Sequence, residues 1–379
     1  PAPRAPAQPG TPLRQRIFSF VTRRLHIVEG ELLVNDMRTP LTASGDRFDL
    51  AVDYAESGGI ASYIGDLRWQ QFELAMRDYV PFRSDVSMRF QLQPNSLSVT
   101  QLVWNLPHTS IDTQFSISDF SNPAWNFRYR GRLDLQDVRT ILREPTTPDG
   151  RVEFNGQGGY RAGKLALDGG YAAEGVALHF QWFHAGEFTS RGNYRADQDV
   201  LSIPDFSATA LGGTVNGVVR LTFTDLTFHT QTRTHGISLA AALAAVDNPN
   251  LPVNPLHWDA TIDVDAITTW KANFKNLDSR GVSFWAPPAE LQPGKIPATA
   301  HVDYHYSMAT DTVTLTASEI ATPSSRLRMN GVLGRTDSAI DTLLETEDLI
   351  PWNDFINRIR GEDAEPRVIG GKITWQGRI

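Results

Sequence analysis

The run His301-Val-Asp-Tyr-His305 sets two imidazoles and a carboxylate two residues apart. In an extended chain alternate side chains share a face, so His301, Asp303 and His305 fall on one side, about 6–7 Å apart. Side chains of these types at that spacing can ligate a metal. No second ligand cluster stands elsewhere to complete a site. The intervening Val302, Tyr304 and Tyr306 give the plainer reading of a wetted face behind an apolar one. His179 and His184 are five residues apart, which places them on opposite faces of one extended strand. Asp263 and Asp265 could work as a carboxylate pair, but they alternate with Ile262 and Val264 as exposed strand residues do. Asn155-Gly-Gln-Gly-Gly159 leads into Tyr160 and not into a helix, so it lacks the context of a phosphate loop and reads as a hairpin or bulge. Arg128, Arg130 and Arg132 share the polar side of an aromatic strand. They suit lipid headgroups, nucleic acid or plain solvent.

Cysteine is absent, which removes disulfides, thiolate nucleophiles, Cys-ligated zinc and Fe–S clusters. Neither Gly-x-Ser-x-Gly nor His-Glu-x-x-His occurs. The expectation is a chain that is not an enzyme, with no catalytic residue, no cofactor and no structural metal. A net charge of −8 disfavours a nucleic-acid partner.

The residues that remain as candidates are apolar, drawn from 19 Phe, 9 Trp and 9 Tyr. One stripe is Trp125, Phe127 and Tyr129, and its partner is Phe180, Trp182 and Phe188. Phe115, Ile117, Val302, Tyr304 and Tyr306 alternate with polar neighbours in the same way. Periodicity fits a closed β-core and an open lined groove equally well.

The elements that hold these stripes are strands. Period-two alternation runs through Phe48–Tyr54, Val86–Leu92, Trp125–Tyr129, Ile262–Val264, Val302–Met308 and Val313–Leu315. Glu56–Gly59, Pro148–Gly150, Asp168–Gly170 and Ala196–Asp199 read as hairpin turns. Helical signals are few: Val138–Arg143, Ser238–Val246 with Ser238 as N-cap, and Pro351–Arg360 with Gly361 as its stop. Gln70–Tyr79 fits helix and strand alike. Each helix follows an alternating segment that opens at Leu97, Leu201 or Val313, and a strand returns after each. A mostly β repeat of about 105 residues with one short helix per unit is the result. Its approximate units are 15–96, 97–200, 201–312 and 313–379.

With 379 residues, 41% of them hydrophobic and 21% charged, the chain is long enough for several domains or one repetitive body. Residues 1–14 form a proline-rich linker. No apolar stretch reaches the roughly 20 residues of a membrane span. The proline-rich start and an end inside a strand pattern suggest a segment of a longer protein, with any membrane anchor elsewhere.

The strand and glycine turn Leu25-His-Ile-Val-Glu-Gly-Glu-Leu-Leu33, the segment Phe206-Ser-Ala-Thr-Ala-Leu-Gly-Gly-Thr-Val-Asn-Gly217 and the unit Asp341–Phe355 closing on Gly370-Gly-Lys-Ile-Thr-Trp375 resemble the AsmA/TamB-like superfamily of Gram-negative envelope proteins. The resemblance spans most of residues 15–379 and rests on patterns, not on invariant signatures. It implies an elongated antiparallel sheet bent into an open groove. It also implies a periplasmic location in a parent protein anchored in the inner membrane and reaching toward the outer membrane. The implied work is phospholipid transport and outer-membrane homeostasis, with phospholipid acyl chains as the ligand. A scaffold that pairs with client β-strands, with an outer-membrane assembly protein as partner, is the first alternative. A β-sandwich glycan-binding domain is the second.

Overall fold

The computed structural model describes residues 22–36, 41–76, 79–143, 147–180, 183–246, 257–272, 275–334, 338–359, 365 and 367–378. The proline-rich start, Trp182 and Gly361 lie outside them. The chain is mostly β and antiparallel, as the alternation predicts. It divides into two compact units. The first comprises the chain through Pro145 with Val152–Gly169, and the second comprises Thr146–Arg151 with Gly170–Ile379.

In unit 1 the strands are β1 (Arg24–Asp36), β2 (Leu41–Ser57), β3 (Ile60–Met76), β4 (Phe82–Gln93), β5 (Ser96–Asn105), β6 (Ser110–Ser118) and β7 (Ala124–Asp134), followed by helix α1 (Leu135–Leu142). Each strand from β1 to β7 pairs antiparallel with the next. Most of β8 (Asp149–Arg161) and the start of β9 (Lys164–Phe180) also belong here. The rest of β9 opens unit 2, which continues through β10 (Phe183–Asp197), β11 (Val200–Ala210), β12 (Gly213–Thr222) and β13 (Thr227–Ser238) to helix α2 (Leu239–Ala244). Next come β14 (Trp258–Asp259), β15 (Thr261–Lys271), β16 (Lys275–Ala286), β17 (Ile296–Pro297), β18 (Thr299–Ser307), β19 (Thr312–Ala321), β20 (Ser325–Gly334) and β21 (Ala339–Thr346). A 3₁₀ turn (Ile350–Trp352), helix α3 (Asn353–Ile359) and strand β22 (Ile373–Arg378) complete it. Here too neighbours along the chain pair antiparallel, while β14 and β17 form a separate parallel pair.

The three short helices stand where the sequence places them, within a few residues at each end. Asp134 caps α1 by accepting from the Gln136 amide at 3.0 Å, and Arg143 ends it in the left-handed region at φ 53°. Ser238 caps α2 through the Ala241 amide at 3.2 Å. Pro351 lies in the 3₁₀ turn ahead of α3. The repeat has a backbone signature that alternation alone does not reveal. The strands that open at Leu97, Leu201 and Val313 each slip register just after the opening apolar pair: between Val99 and Leu102, Ile203 and Phe206, and Leu315 and Ser318. These β-bulges bend each strand at the same point of the repeat.

Four local expectations fail. Asp168–Gly170 lies inside β9, and the turn before it is Ala162-Gly163, both with positive φ. Pro148–Gly150 leads from α1 into β8 and makes no hairpin. Asn155–Gly159 is the interior of β8. His179 and His184 do not sit on opposite faces of one strand. The chain reverses between β9 and β10, which brings their Nδ1 atoms to 3.3 Å. The ambiguous stretch from Gln70 is the end of β3, with Gln71 at φ 52° marking an irregularity.

Burial concentrates in two clusters. In unit 2, Ile237, Leu239, Trp258, Ala260, Ile262 and Ala298 form one buried cluster, against which Leu243, Trp285, Ile320 and Trp352 pack. In unit 1, Ala43, Phe48, Trp69 and Phe72 form another. No helix among the described residues is long and apolar enough to cross a membrane.

Candidate functional site

Cross-strand registers assign every candidate side chain to a face. Partners in an antiparallel ladder point the same way. In unit 1 one row runs Leu25–Val52–Gly65–Phe90–Val99–Phe115–Phe127 across β1 to β7. Beside it runs Ile27–Leu50–Leu67–Met88–Leu102–Thr113–Tyr129, and next to that Gly30–Phe48–Trp69–Val86–Trp104–Ile111–Gly131. On the other flank Tyr54, Tyr63, Leu92, Leu97, Ile117 and Trp125 make a fourth. Thus Phe115, Ile117, Trp125, Phe127 and Tyr129 share one continuous apolar face.

In unit 2 a row runs Phe206–Gly217–Thr232–Ala266–Gly281–Tyr304–Leu315. Val302 and Tyr306 stand either side of Tyr304 on the same face. Threonine interrupts this face at 230, 232 and 234. Two of these hydroxyls turn back onto the backbone, Thr230 to the Thr268 carbonyl and Thr234 to that of Val264, so the methyl groups are left to the surface.

Phe180 ends β9, Phe188 lies in β10, and Trp182 is outside the described residues. The described members of the candidate set therefore fall into two groups, one per unit.

Neither face carries a second sheet within its unit, apart from the short pair β14–β17 among the described strands. The exposures agree with this. Phe115, Ile117, Phe127, Tyr129, Val302, Tyr304 and Tyr306 are half-buried, and Trp125 is 42% exposed. Across the whole described chain the only buried aromatics are Phe48, Tyr63, Trp69, Phe72 and Trp258. The stripe rings stay more open than those five, of which Phe48, Tyr63 and Trp69 lie on the same face of unit 1.

What covers the stripes in part is glycine placement. A Cβ built on Gly65 would lie 2.5 Å from the Phe90 ring, and one on Gly158 the same distance from the Phe127 ring. Gly131 and Gly156 receive Phe154 and Tyr129, while Gly217 and Gly281 receive Phe206 and Tyr304. Each ring lies down on a neighbouring strand where no side chain stands, and the face becomes a level apolar floor. This explains Gly156 and Gly158 within Asn155–Gly159: they are landing sites for rings of β7, a role that strand glycines take where another group approaches closely. Gly65→Ala should force the Phe90 ring upward and cost about 1–3 kcal/mol. Phe90→Ala in the same chain should cancel most of that extra cost in a double-mutant cycle read by denaturant melts. Additive effects would contradict the ring-on-glycine packing.

The opposite face is charged. Arg24–Asp53 at 2.6 Å, Arg89–Asp66 at 3.0 Å, Arg130–Asp112 at 2.8 Å and Arg132–Glu153 at 3.0 Å line unit 1. Arg233–Asp265 at 2.7 Å, His235–Asp263 at 3.0 Å, His305–Asp278 at 2.9 Å and Arg378–Asp341 at 2.8 Å line unit 2. The Gly236 amide, more than His235, holds the Asp263 carboxyl below its usual range. The Arg378 guanidinium does the same for Asp341. Asp263 and Asp265 therefore each have a cross-strand partner, His235 and Arg233, and do not converge on a substrate position. His301 stacks on Phe284 with ring centroids 5.0 Å apart, and His305 bonds Asp278. Among the described residues no three metal-ligating side chains gather to hold an ion.

Comparison with protein families, with curated proteins and with solved structures finds no match to this chain.

Proposed function

We propose that this chain is a non-enzymatic lipid-contacting segment of an AsmA/TamB-like envelope protein. In this reading it sits in the periplasm and carries phospholipid acyl chains on the apolar faces of its two units, in the service of outer-membrane homeostasis. The observation that carries the proposal is the half-covered aromatic floor, with ion pairs lining the reverse face. Each methylene moved from water onto such a floor gains up to about 0.8 kcal/mol, and sliding along it needs no nucleophile or cofactor. Headgroups stay in water at the margins. Purified chain mixed with vesicles containing a fluorescent phospholipid should extract the probe in stoichiometric amount. Failure to take up any lipid would remove the proposal.

The scaffold reading draws on a different observation. The described side chains of β22 are almost all exposed, and β21 is the strand that pairs with it. Among the described strands only β21 pairs with β22, and a sheet edge of this kind can capture an extended client. Extraction of lipid with no binding of unfolded β-hairpin peptides favours the conduit, and the reverse favours the scaffold.

A further inference from the structure

The reverse face of unit 2 holds a trough of about 690 Å³ that crosses β12, β13, β15, β16 and β18. Its base is the backbone of the row Gly217–Thr232–Ala266–Gly281. On the floor side of that row Phe206 and Tyr304 cover Gly217 and Gly281, and neither ring lines the trough. The lining side chains are those immediately before and after each residue of the row, and alternation turns these onto the reverse face. One wall is Asn216, Arg233, Asp265, Val282 and Asp303. The other is Val218, Gln231, Ile267 and Arg280. Facing residues of the two walls are two apart in sequence, about 6–7 Å.

Arg233 and Asp265 bond each other at 2.7 Å. The guanidinium of Arg280, the carboxylate of Asp303 and the side-chain amides of Asn216 and Gln231 have no hydrogen-bond or ion-pair partner among the described residues. Fork donors, a carboxylate acceptor and two amides thus meet in one cavity and await a ligand that both donates and accepts. Two arginines and two aspartates cancel, so the trough gives no hold on a polyanion. The backbone groups of its base are spent in the ladder, so an extended peptide cannot join it as a further strand. Between the polar groups Val218, Ile267 and Val282 leave apolar surface. Neighbouring strands stand about 4.8 Å apart, close to the advance of one sugar in an extended β-1,4-linked chain. An N-acetylated sugar is uncharged and carries hydroxyls, an amide and a methyl group in every repeat.

We propose that this trough binds an extended, uncharged β-1,4-linked glycan of N-acetylated sugars, with one sugar over each strand. The acetamido groups bond Asn216 and Gln231, and their methyl groups rest on the apolar side chains. Arg280 donates to sugar oxygens, and Asp303 accepts from sugar hydroxyls. The site lies on the face opposite the acyl-chain floor and does not rest on that reading.

The whole chain is titrated with chitohexaose and with cellohexaose, which has hydroxyls where the acetamido groups stand. Chitohexaose is expected to bind about tenfold more tightly, the scale of one or two net hydrogen bonds. The variant N216A/Q231A should bind both sugars at the cellohexaose level. Arg280→Ala should weaken both by about three- to tenfold. Asn216, Gln231 and Arg280 are exposed, so both variants should keep the thermal midpoint of the unaltered chain. Uptake of fluorescent phospholipid should be the same in all three proteins, so the glycan site and the lipid floor stand or fall separately. No binding of chitohexaose to the unaltered chain would overturn the site. So would equal affinity for the two sugars, or a preference for chitohexaose that survives in N216A/Q231A.

Discussion

Trp258→Ala should destabilise unit 2 by about 3–5 kcal/mol, the cost of emptying a packed aromatic site. Trp258 is 8% exposed, in a cluster with Ala260 and Ala298, which are 1% and 0% exposed. Its ring meets Trp352 edge-on at 5.5 Å and 84°. The alanines on two sides are too short to fill the gap, so much of the cavity stays open. The surrounding Leu239, Ile237 and Ile262 close the end of the sheet where α2 and the 3₁₀ turn arrive. Trp352 Nε1 donates to Ser325 Oγ at 2.9 Å and ties β20 to the same cluster. Chemical denaturation of the variant gives the number. A loss below about 1 kcal/mol would mean that unit 2 does not depend on this end core and is held by strand pairing alone.

Much of this architecture is legible in the sequence because it depends on short-range rules. Alternation such as Val86–Leu92 decides both strand and face, and Ser238 or Pro351 announces a helix by local chemistry. Glycine is less legible, because it serves two ends. Gly58 and Gly59 take positive φ in the β2–β3 turn, as Glu56–Gly59 suggests. Gly156 and Gly158 have similar sequence surroundings and lie flat in a strand under Tyr129 and Phe127. Only the identity of the cross-strand neighbour separates the two uses, and that neighbour is set by pairing between residues far apart in sequence.

The His179–His184 contact is illegible in the sequence for a related reason. A turn placed between two residues cancels the parity that alternation assigns them. The charged face was legible as polar, but the pairing of Asp263 with His235 and of Asp265 with Arg233 required the register of β13 on β15. Among the described residues Trp69 Nε1, Ser84 Oγ and Trp104 Nε1 are buried without a hydrogen-bond partner, which leaves no trace in the sequence, since all three are ordinary strand residues there. Their lack of partners becomes visible only once every neighbour is in place.

A single charge on the floor of either unit separates an open face from a closed one. Phe127 in unit 1 and Tyr304 in unit 2 are half-buried, each resting on a glycine, with no second sheet of their own unit above them. Aspartate at either position can turn its carboxylate to water, so it avoids the several-kcal/mol penalty of a buried charge. The same carboxylate repels an acyl chain that tries to lie across it. Phe127→Asp and Tyr304→Asp, each in the parent protein carrying a photoactivatable phospholipid crosslinker, are the most direct measurement of the central claim. Crosslinking to lipid is expected to fall by about tenfold, near the 1.4 kcal/mol that two lost methylene contacts represent. The thermal midpoint is expected to move by no more than about 4 °C. A variant that unfolds would show that the aromatic stripe is a closed core. A pair of variants that fold and crosslink as before would show that lipid does not travel over these strands, and either result would contradict the account.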